Sequence, residues 1–204
     1  MLFHQPIDYH AHRRPDHTAL SAPDYEWSYG TLVQKSHAIA TLLAELGVTA
    51  GDRIGVLGLN SAAHFAIMIG ASRMGAVTVS VNFRLAPAEL AFILDDAHID
   101  VLFVTDNSID DVIDQMVKQR TLATRVVANR DDAFERLDTA LALVAEPFLW
   151  SDYVDENTPV LQLYTSGTTG KPKGAVISHR NLTSLVHMMA LANDGLYTRD
   201  TVNL

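Results

Sequence analysis

Helical and strand patterns alternate regularly along this sequence. Helices are predicted over residues 28–46, about 61–74 and about 87–97, and strands over 53–57, 77–81 and 101–104. A strand–helix–strand succession pairs its strands in parallel, because the helix returns the chain to the starting end of the sheet. The alternation therefore predicts an α/β fold, with a layered, mostly parallel sheet and helices on both faces.

The ends of the predicted helices carry suitable residues. Ser28 and Ser61 can accept hydrogen bonds from the free N–H groups of a first turn. Gly47 and Gly75 follow the last turns, where a left-handed conformation often ends a helix. These signals strengthen the prediction of the first two helices.

Residues 106–150 follow the alternation less clearly. One helix is predicted before Val126 and another over 131–144. No repeat, low-complexity tract or obvious linker interrupts the chain, whose 204 residues suffice for one large domain or two small ones.

Composition and charge exclude several classes of protein. Hydrophobic residues make up 48% of the chain, which is enough to build a packed core and argues against disorder. The formal net charge is −9 and the basic residues form no run, so a nucleic-acid partner is not expected. The absence of cysteine excludes disulfides, cysteine-bound zinc and thiol nucleophiles.

The sequence carries no signal for export or for membrane insertion. Met1–Pro6 has neither the basic region nor the apolar core of a signal peptide. The longest apolar region, 62–81, contains His64 and Arg73, which fits a buried helix and strand better than a membrane span. We therefore expect no transmembrane segment and a cytoplasmic location. The oligomeric state is not indicated.

A segment rich in glycine and hydroxyl groups follows the predicted strand Val160–Tyr164. It reads TSGTTGKPKG over Thr165–Gly174 and precedes a second predicted strand and a helix that begins near His179. Its glycines let backbone N–H groups point inward and let a phosphate approach closely. Its hydroxyls can donate to phosphate oxygens or contact a metal ion. The candidate phosphate-binding residues are Thr165, Ser166, Gly167, Thr168, Thr169, Gly170 and Lys173.

Two other interpretations of this segment fit less well. Such residues are common in surface turns, but ten residues is long for a connection that a two- to five-residue hairpin could make. The P-loop of common NTPases requires G-x-x-x-x-G-K-[ST] before a helix. Here Gly167 and Gly170 are three apart, Pro172 follows Lys171, and a strand follows the segment. The segment is therefore not a Walker P-loop.

The residues from Tyr164 to Gly174 closely resemble the phosphate-binding motif of the adenylate-forming superfamily. This superfamily comprises acyl- and aryl-CoA synthetases, adenylation domains of peptide synthetases, and luciferases. The resemblance covers nearly the whole chain, because further family segments occur in the expected order: Trp27–Tyr29, Gly51–Ile54, Asn60–Ser61, Met74–Val77, Val81–Leu85 and His179–Asn181. Ser80 departs from a proline often found in the family.

The resemblance implies a two-step reaction. A carboxylate attacks the α-phosphate of ATP to give an acyl-adenylate and pyrophosphate, and a thiol then takes the acyl group. The implied substrates are ATP, a carboxylic acid and coenzyme A. The implied roles are phosphate binding by Ser166, Thr168, Thr169 and Lys173, an approach of Thr165 to Mg²⁺, and a solvated charge at Lys171.

The resemblance also implies that residues 1–204 form the N-terminal part of a larger AMP-binding domain. The adenine site, the ribose-binding Asp and the catalytic Lys of relatives lie in segments beyond Leu204, so no catalytic residue is assigned here. The residues given are expected to be inactive as a ligase on their own.

The expected function is that of an ATP-dependent acid–CoA ligase. The Thr at position 168 favours this class, because peptide-synthetase domains often carry Ser there. An adenylation domain of peptide-synthetase type or an acyl-AMP ligase is the alternative within the superfamily. A non-catalytic nucleotide-binding module is the alternative of another class. The acid itself is not indicated.

The histidines and paired carboxylates are expected to have structural roles. Metal sites need clustered ligands, and the nine histidines are scattered. Asp95–Asp96, Asp110–Asp111 and Asp131–Asp132 lie at predicted helix ends or turns, where solvated capping is the expected role.

Overall fold

The computed structural model describes residues 1–23, 25–105, 111, 113, 125–128, 137–142, 146, 154–165 and 172–192. The helices within them are α1 (Gln5–Arg13), α2 (Tyr29–Glu45), α3 (Ala62–Met74), α4 (Pro87–Asp96), α5 (Leu137–Ala142) and α6 (His179–Ala192). The strands are β1 (Thr18–Ala22), β2 (Tyr25–Ser28), β3 (Arg53–Leu57), β4 (Val77–Val81), β5 (Ile99–Val104), β6 (Arg125–Ala128), β7 (Pro159–Thr165) and β8 (Lys173–Ser178). Among the described helices, none combines the length and apolar character that crossing a bilayer requires.

Six strands form one sheet in the order β6-β5-β3-β4-β7-β8. The first five strands run parallel, and β8 runs antiparallel to β7. Strands β1 and β2 form a separate antiparallel pair. The predicted α/β fold with a mostly parallel sheet is confirmed.

Two hydrophobic clusters cover opposite faces of this sheet, as alternating side chains of each strand predict. One cluster packs α2, α3 and α5 against strand residues such as Val56 and Phe103. The other packs α4 against their sequence neighbours Leu57 and Leu102. Helices therefore lie on both faces, and the β-strands carry the near-continuous apolar sequence typical of a buried parallel sheet.

The predicted helix ends are confirmed at atomic level. The Ser28 and Ser61 hydroxyls each accept a hydrogen bond from the backbone N–H three residues later, at 3.2 Å. Gly75 ends α3 with φ 76°, a left-handed conformation that favours glycine. Glu89 accepts from the backbone N–H of Ala86 at 3.0 Å, so its carboxylate satisfies a free donor at the start of α4.

Helices α2 and α3 approach each other closely at Gly70. A Cβ atom at this position would lie 2.7 Å from the backbone oxygen of Ser36 and 2.8 Å from Ile39 Cγ2. Both distances are below van der Waals contact, so the absence of a side chain permits the observed spacing of the two helices.

Helix α1 attaches to the same helix pair through polar contacts. The buried Arg73 forms an ion pair with Asp8 and donates to Ser36 Oγ at 2.9 Å. His4, which is 2% exposed, contacts Ser72 Oγ through Nδ1 at 3.0 Å. These contacts satisfy a buried guanidinium that would otherwise carry a large desolvation penalty.

His179 joins the start of α6 to the chain's first residues. Its ring is fully buried, and its Nδ1 accepts from the backbone N–H of Phe3 at 3.0 Å. Burial is the main factor that lowers the pKa of both His4 and His179 to about 4. Both rings are therefore neutral at pH 7, in keeping with the structural role expected of the histidines.

Several elements differ from the sequence prediction. Helix α1 and the β1–β2 pair were not predicted, because their apolar residues are few and they pack only at the edge of the core. Helix α5 lies inside the predicted helix 131–144, of which residues 131–136 and 143–144 lie outside the described residues. The helix predicted before Val126 also falls largely outside them.

Strands β7 and β8 extend further than predicted, into the glycine-rich segment. Strand β7 ends at Thr165 and β8 begins at Lys173, because the antiparallel ladder continues through the pairs Tyr164–Gly174 and Thr165–Lys173. The connection between the strands is therefore residues 166–172 and not the ten residues 165–174. It remains longer than a tight hairpin requires.

Apolar side chains on the outer face of α6 and on β8 are exposed. They include Val176, Leu185, Val186, Met188 and Leu191. So many large exposed apolar side chains on two neighbouring elements are uncommon on the surface of a monomeric protein.

Candidate functional site

The connections that leave the carboxyl ends of the neighbouring strands β3 and β4 diverge to opposite faces of the sheet. The connection from β3 leads through α3 to β4 on one side, and the connection from β4 leads through α4 to β5 on the other. Ligands of open α/β sheets bind at the carboxyl edge near such a point, because the diverging connections leave a crevice there. A crevice of about 290 Å³ lies at this place, lined by residues 58–60, His64 and residues 80–83.

The predicted phosphate-binding segment begins at the same edge of the sheet. Strand β7 lies beside β4 in parallel, with Ser80 opposite Leu163. The carboxyl end of β7, at Thr165, therefore points to the side on which the crevice opens. Thr165 and Lys173 are cross-strand partners and both are exposed.

The structure thus brings two of the predicted site residues together at the carboxyl edge. Their pairing brings one hydroxyl and one ammonium group to the two ends of the connection, where an anion could contact both. The remaining candidates, Ser166, Gly167, Thr168, Thr169 and Gly170, lie outside the described residues.

His64 forms a polar pair in the crevice wall. Its Nε2 lies 3.3 Å from Ser80 Oγ, and burial lowers its pKa, so the ring is neutral at pH 7. Its buried Nδ1 has no partner among the described residues. The serine that replaces the family's common proline thus supplies a hydrogen-bond partner at the site. Sequence reasoning assigned His64 a structural role and did not place it beside the crevice.

A second network that the sequence analysis missed adjoins Thr165. The Tyr164 hydroxyl donates to Asp96 Oδ2 at 2.5 Å and accepts from Gln162 Nε2 at 3.3 Å. Gln162 in turn accepts from Arg53 Nε at 2.8 Å. We call these four residues the Arg53–Asp96 network. The expectation that Asp96 only caps a helix end in solvent is wrong, because its carboxylate holds the tyrosine hydroxyl.

A signal for part of this network exists in the sequence. Residues Gln162 and Tyr164 are two apart on a predicted strand, so their side chains share one face. The long-range partners Arg53 and Asp96 have no such signal, because only the strand order brings them near β7.

Another cavity, of about 270 Å³, lies at the amino edge of the sheet. Its charged lining residues are Asp52, Arg53, Asp100 and Arg125. The carboxyl edge is the expected position for a nucleotide in this topology. The mixed charges of the amino-edge cavity also do not select for a polyanion. The carboxyl edge is therefore the candidate functional site.

The described residues hold no group of three or more His, Cys, Asp or Glu side chains that could bind a metal ion. A threonine hydroxyl such as that of Thr165 is an oxygen donor that Mg²⁺ accepts alongside water and phosphate. The donor set fits a magnesium ion that arrives with a nucleotide.

Comparisons with known proteins identify similar sequences. The sequence profile described as AMP-binding enzyme matches residues 7–203. A fatty acid–[acyl-carrier-protein] ligase, ScoC, of Streptomyces coeruleorubidus is 33% identical over 196 residues, which cover 94% of this chain and 35% of ScoC. An indoleacetate–CoA ligase of Aromatoleum aromaticum is 33% identical over 188 residues, which cover 84% of this chain and 34% of that ligase.

Solved structures show the same fold. The anthranilate CoA ligase AuaEII, in complex with anthranoyl-AMP, superposes with a TM-score of 0.84 at 22% identity. The match covers 94% of this chain and 37% of AuaEII. The chain thus spans about a third of the length of the relatives it matches, 35% of ScoC and 34% of the indoleacetate–CoA ligase.

Proposed function

The chain belongs to the AMP-binding enzyme family, and on this premise we propose that it is part of an ATP-dependent acid–CoA ligase. The proposed reaction joins a carboxylic acid to ATP, releases pyrophosphate, and transfers the acyl group from the adenylate to coenzyme A. The observation that carries this proposal is the cross-strand pair Thr165–Lys173, which brackets the segment SGTTGKP at the carboxyl edge of the sheet.

The first step of this reaction brings like charges together. An anionic carboxylate must approach a polyphosphate, so positive charge and hydrogen-bond donors have to surround the phosphates. In the proposed site, Lys173 supplies the charge, and the hydroxyls of Ser166, Thr168 and Thr169 donate to phosphate oxygens. The glycines at 167 and 170 let the backbone approach the ligand.

Mg²⁺ is part of the proposal as the companion of ATP. It would neutralise phosphate charge, and the Thr165 hydroxyl would approach it. Lys171 is proposed to remain a solvated charge that contributes little to binding.

We propose further that residues 1–204 are the N-terminal part of a larger AMP-binding domain. The exposed apolar face of α6 supports this, because burying it against further protein would remove apolar surface from water. The cytoplasmic location expected from the sequence also stays a prediction.

A carrier protein is the second candidate for the acyl acceptor. ScoC is by its name a ligase for an acyl-carrier protein, whereas the similarly distant indoleacetate ligase uses coenzyme A. Both acceptors offer a thiol, so the adenylation step is common to the two candidates.

The test is acid-dependent exchange of pyrophosphate into ATP by the full-length protein, assayed with a panel of aliphatic and aromatic acids. We expect exchange with at least one acid and, in a second assay, AMP formation that requires coenzyme A. Product formation with a carrier protein and none with coenzyme A would favour the second candidate. Absence of exchange with every acid would contradict the proposal.

Lys173→Ala is expected to reduce the exchange rate about a hundredfold, the usual effect of removing one charge-stabilising donor from a reaction site. Lys171→Ala is the matched control, because it removes the same charge two residues away. We expect its rate to stay within about threefold of wild type, since we propose that this charge is solvated and a solvated charge contributes little. Equal losses in the two variants would remove Lys173 from the proposed site.

A further inference from the structure

The Arg53–Asp96 network joins three separate elements beside the proposed site. Arg53 begins β3, and its side chain crosses β4 to reach Gln162 in β7. Tyr164, two residues further along β7, reaches Asp96 at the end of α4. Tyr164 is thus linked through Gln162 to β3 on one side and directly to α4 on the other.

The hydrogen bonds of this network all run in one direction, from the Arg53 guanidinium to the Asp96 carboxylate. Arg53 is always charged and can only donate, so the Gln162 amide must present its oxygen to Arg53 and its nitrogen to Tyr164. The tyrosine hydroxyl is then left to donate to the carboxylate. Burial and the neighbouring Asp96 raise the pKa of Tyr164, so this hydroxyl stays protonated. Hydrogen bonds aligned in one direction reinforce each other.

The helix that carries Asp96 does not stabilise a carboxylate at this position. It is the last residue of α4, where the negative end of the helix dipole disfavours a carboxylate. Its neighbour Asp95 is similarly exposed. The contact with Tyr164 gives Asp96 a partner that its own helix does not supply.

The network also covers Gly174, the last residue of the phosphate-binding motif. A Cβ atom on Gly174 would lie 2.2 Å from Gln162 Nε2 and 3.0 Å from Tyr164 Cζ. A side chain at position 174 would therefore have to displace the Gln162 amide and press against the Tyr164 ring. Through this contact the network holds β8 as well as β7, and so both ends of the connection.

We propose that Gln162 and Tyr164 are positioning residues for ATP binding, with Arg53 and Asp96 as the charged ends of their network. The inference rests on the proposed function. The network fixes the strand pair that carries Thr165 and Lys173 before any nucleotide arrives. Because these groups are ordered in advance, ATP binding carries a smaller entropic cost. Without the network, ATP would bind more weakly, while the chemical step of bound ATP would change little.

The test uses the full-length enzyme in the pyrophosphate-exchange assay with saturating acid and varied ATP. Tyr164→Phe removes only the hydroxyl oxygen and its two hydrogen bonds. We expect the KM for ATP to rise about five- to tenfold, the effect of losing one or two such bonds, with kcat changed less than about twofold. Tyr9→Phe, which removes an exposed hydroxyl from α1, should leave both constants unchanged.

Asp96→Ala and Asp95→Ala form a matched pair, because each removes one carboxylate from the end of α4. Only Asp96→Ala should raise the KM for ATP, and Asp96→Asn, which keeps an acceptor oxygen, should restore most of the affinity. The double variant Tyr164→Phe/Asp96→Ala should resemble the stronger single variant, because both break the same contact.

The outcomes separate this inference from the proposed function. A wild-type enzyme without exchange activity would overturn both. An active wild type with an unchanged KM for ATP in Tyr164→Phe would overturn the inference alone, and so would a loss of thermal stability without a change in KM. If Tyr164→Phe does not fold, the Asp96 and Asp95 variants decide: equal constants in the two would overturn the inference.

Discussion

Two buried histidines should make the stability of this protein depend on pH between 7 and 5. His179 is fully buried and His4 is 2% exposed, and burial lowers the pKa of each to about 4. In the unfolded chain each imidazole would titrate near its ordinary pKa of 6.5. The unfolded chain therefore binds protons more readily than the folded protein throughout this range.

The sign follows from that difference. Because the folded pKa lies below the unfolded pKa, the stabilisation is complete above about pH 6.5 and is lost as the pH falls toward 4. Between pH 7 and pH 5 each of the two histidines should remove about 2 kcal/mol from the free energy of unfolding. The positive charge of Arg73 opposes protonation of His4, and the opposite effect of the Asp8 carboxylate is weaker. His37, whose pKa is also about 4, is only half-buried and adds less.

The assay is urea unfolding of the full-length protein at pH 7 and pH 5. His179→Gln removes one titrating ring, so the loss of stability between the two pH values should shrink by about 2 kcal/mol relative to wild type. His12→Gln, at an exposed position of α1, is the control and should keep the wild-type pH dependence. If both variants show the same pH dependence, buried neutral His179 is not a source of acid sensitivity.

Two further predictions concern packing and capping. Gly70→Ala should destabilise the protein by about 1–3 kcal/mol, because the new Cβ meets the Ser36 backbone oxygen and Ile39. This loss should exceed the gain from the better helix propensity of alanine. An unchanged urea midpoint would contradict the close helix contact. Ser61→Ala should lower the free energy of unfolding by about 1 kcal/mol, because the first turn of α3 loses the acceptor for the His64 N–H; Ser61→Thr, which keeps the hydroxyl, should recover most of it in the same urea titration.

Local patterns were sufficient for the core elements of the fold. Strands β3 and β4 begin and end where the apolar, β-branched runs predicted, and helix α3 begins after Ser61 and ends at Gly75. These elements are predictable because capping, glycine conformation and side-chain periodicity act within a few residues along the chain. Helix α1 lacks a comparable pattern, since its place depends on Asp8 meeting Arg73, 65 residues later.

The site was predicted in part for the same reason. Thr165 and Lys173 were found from their motif, but their pairing extends two strands into the segment that was predicted as a loop. His64 and Asp96 received only structural roles. The sequence separates each of them from its partner, and neither Ser80 nor Tyr164 signals the contact in advance.

The α/β class, the bounds of the central strands and helices, and the proposed phosphate-binding motif could all be predicted from local sequence patterns. These properties depend on short-range periodicity and on residue types within one segment. Only the tertiary structure decided which strands are neighbours, where the crevice opens, and that Arg53, Gln162, Tyr164 and Asp96 form one network. Those relations depend on the strand order and on where the helices lie across the sheet. The same local pattern is compatible with several strand orders, so it does not fix them.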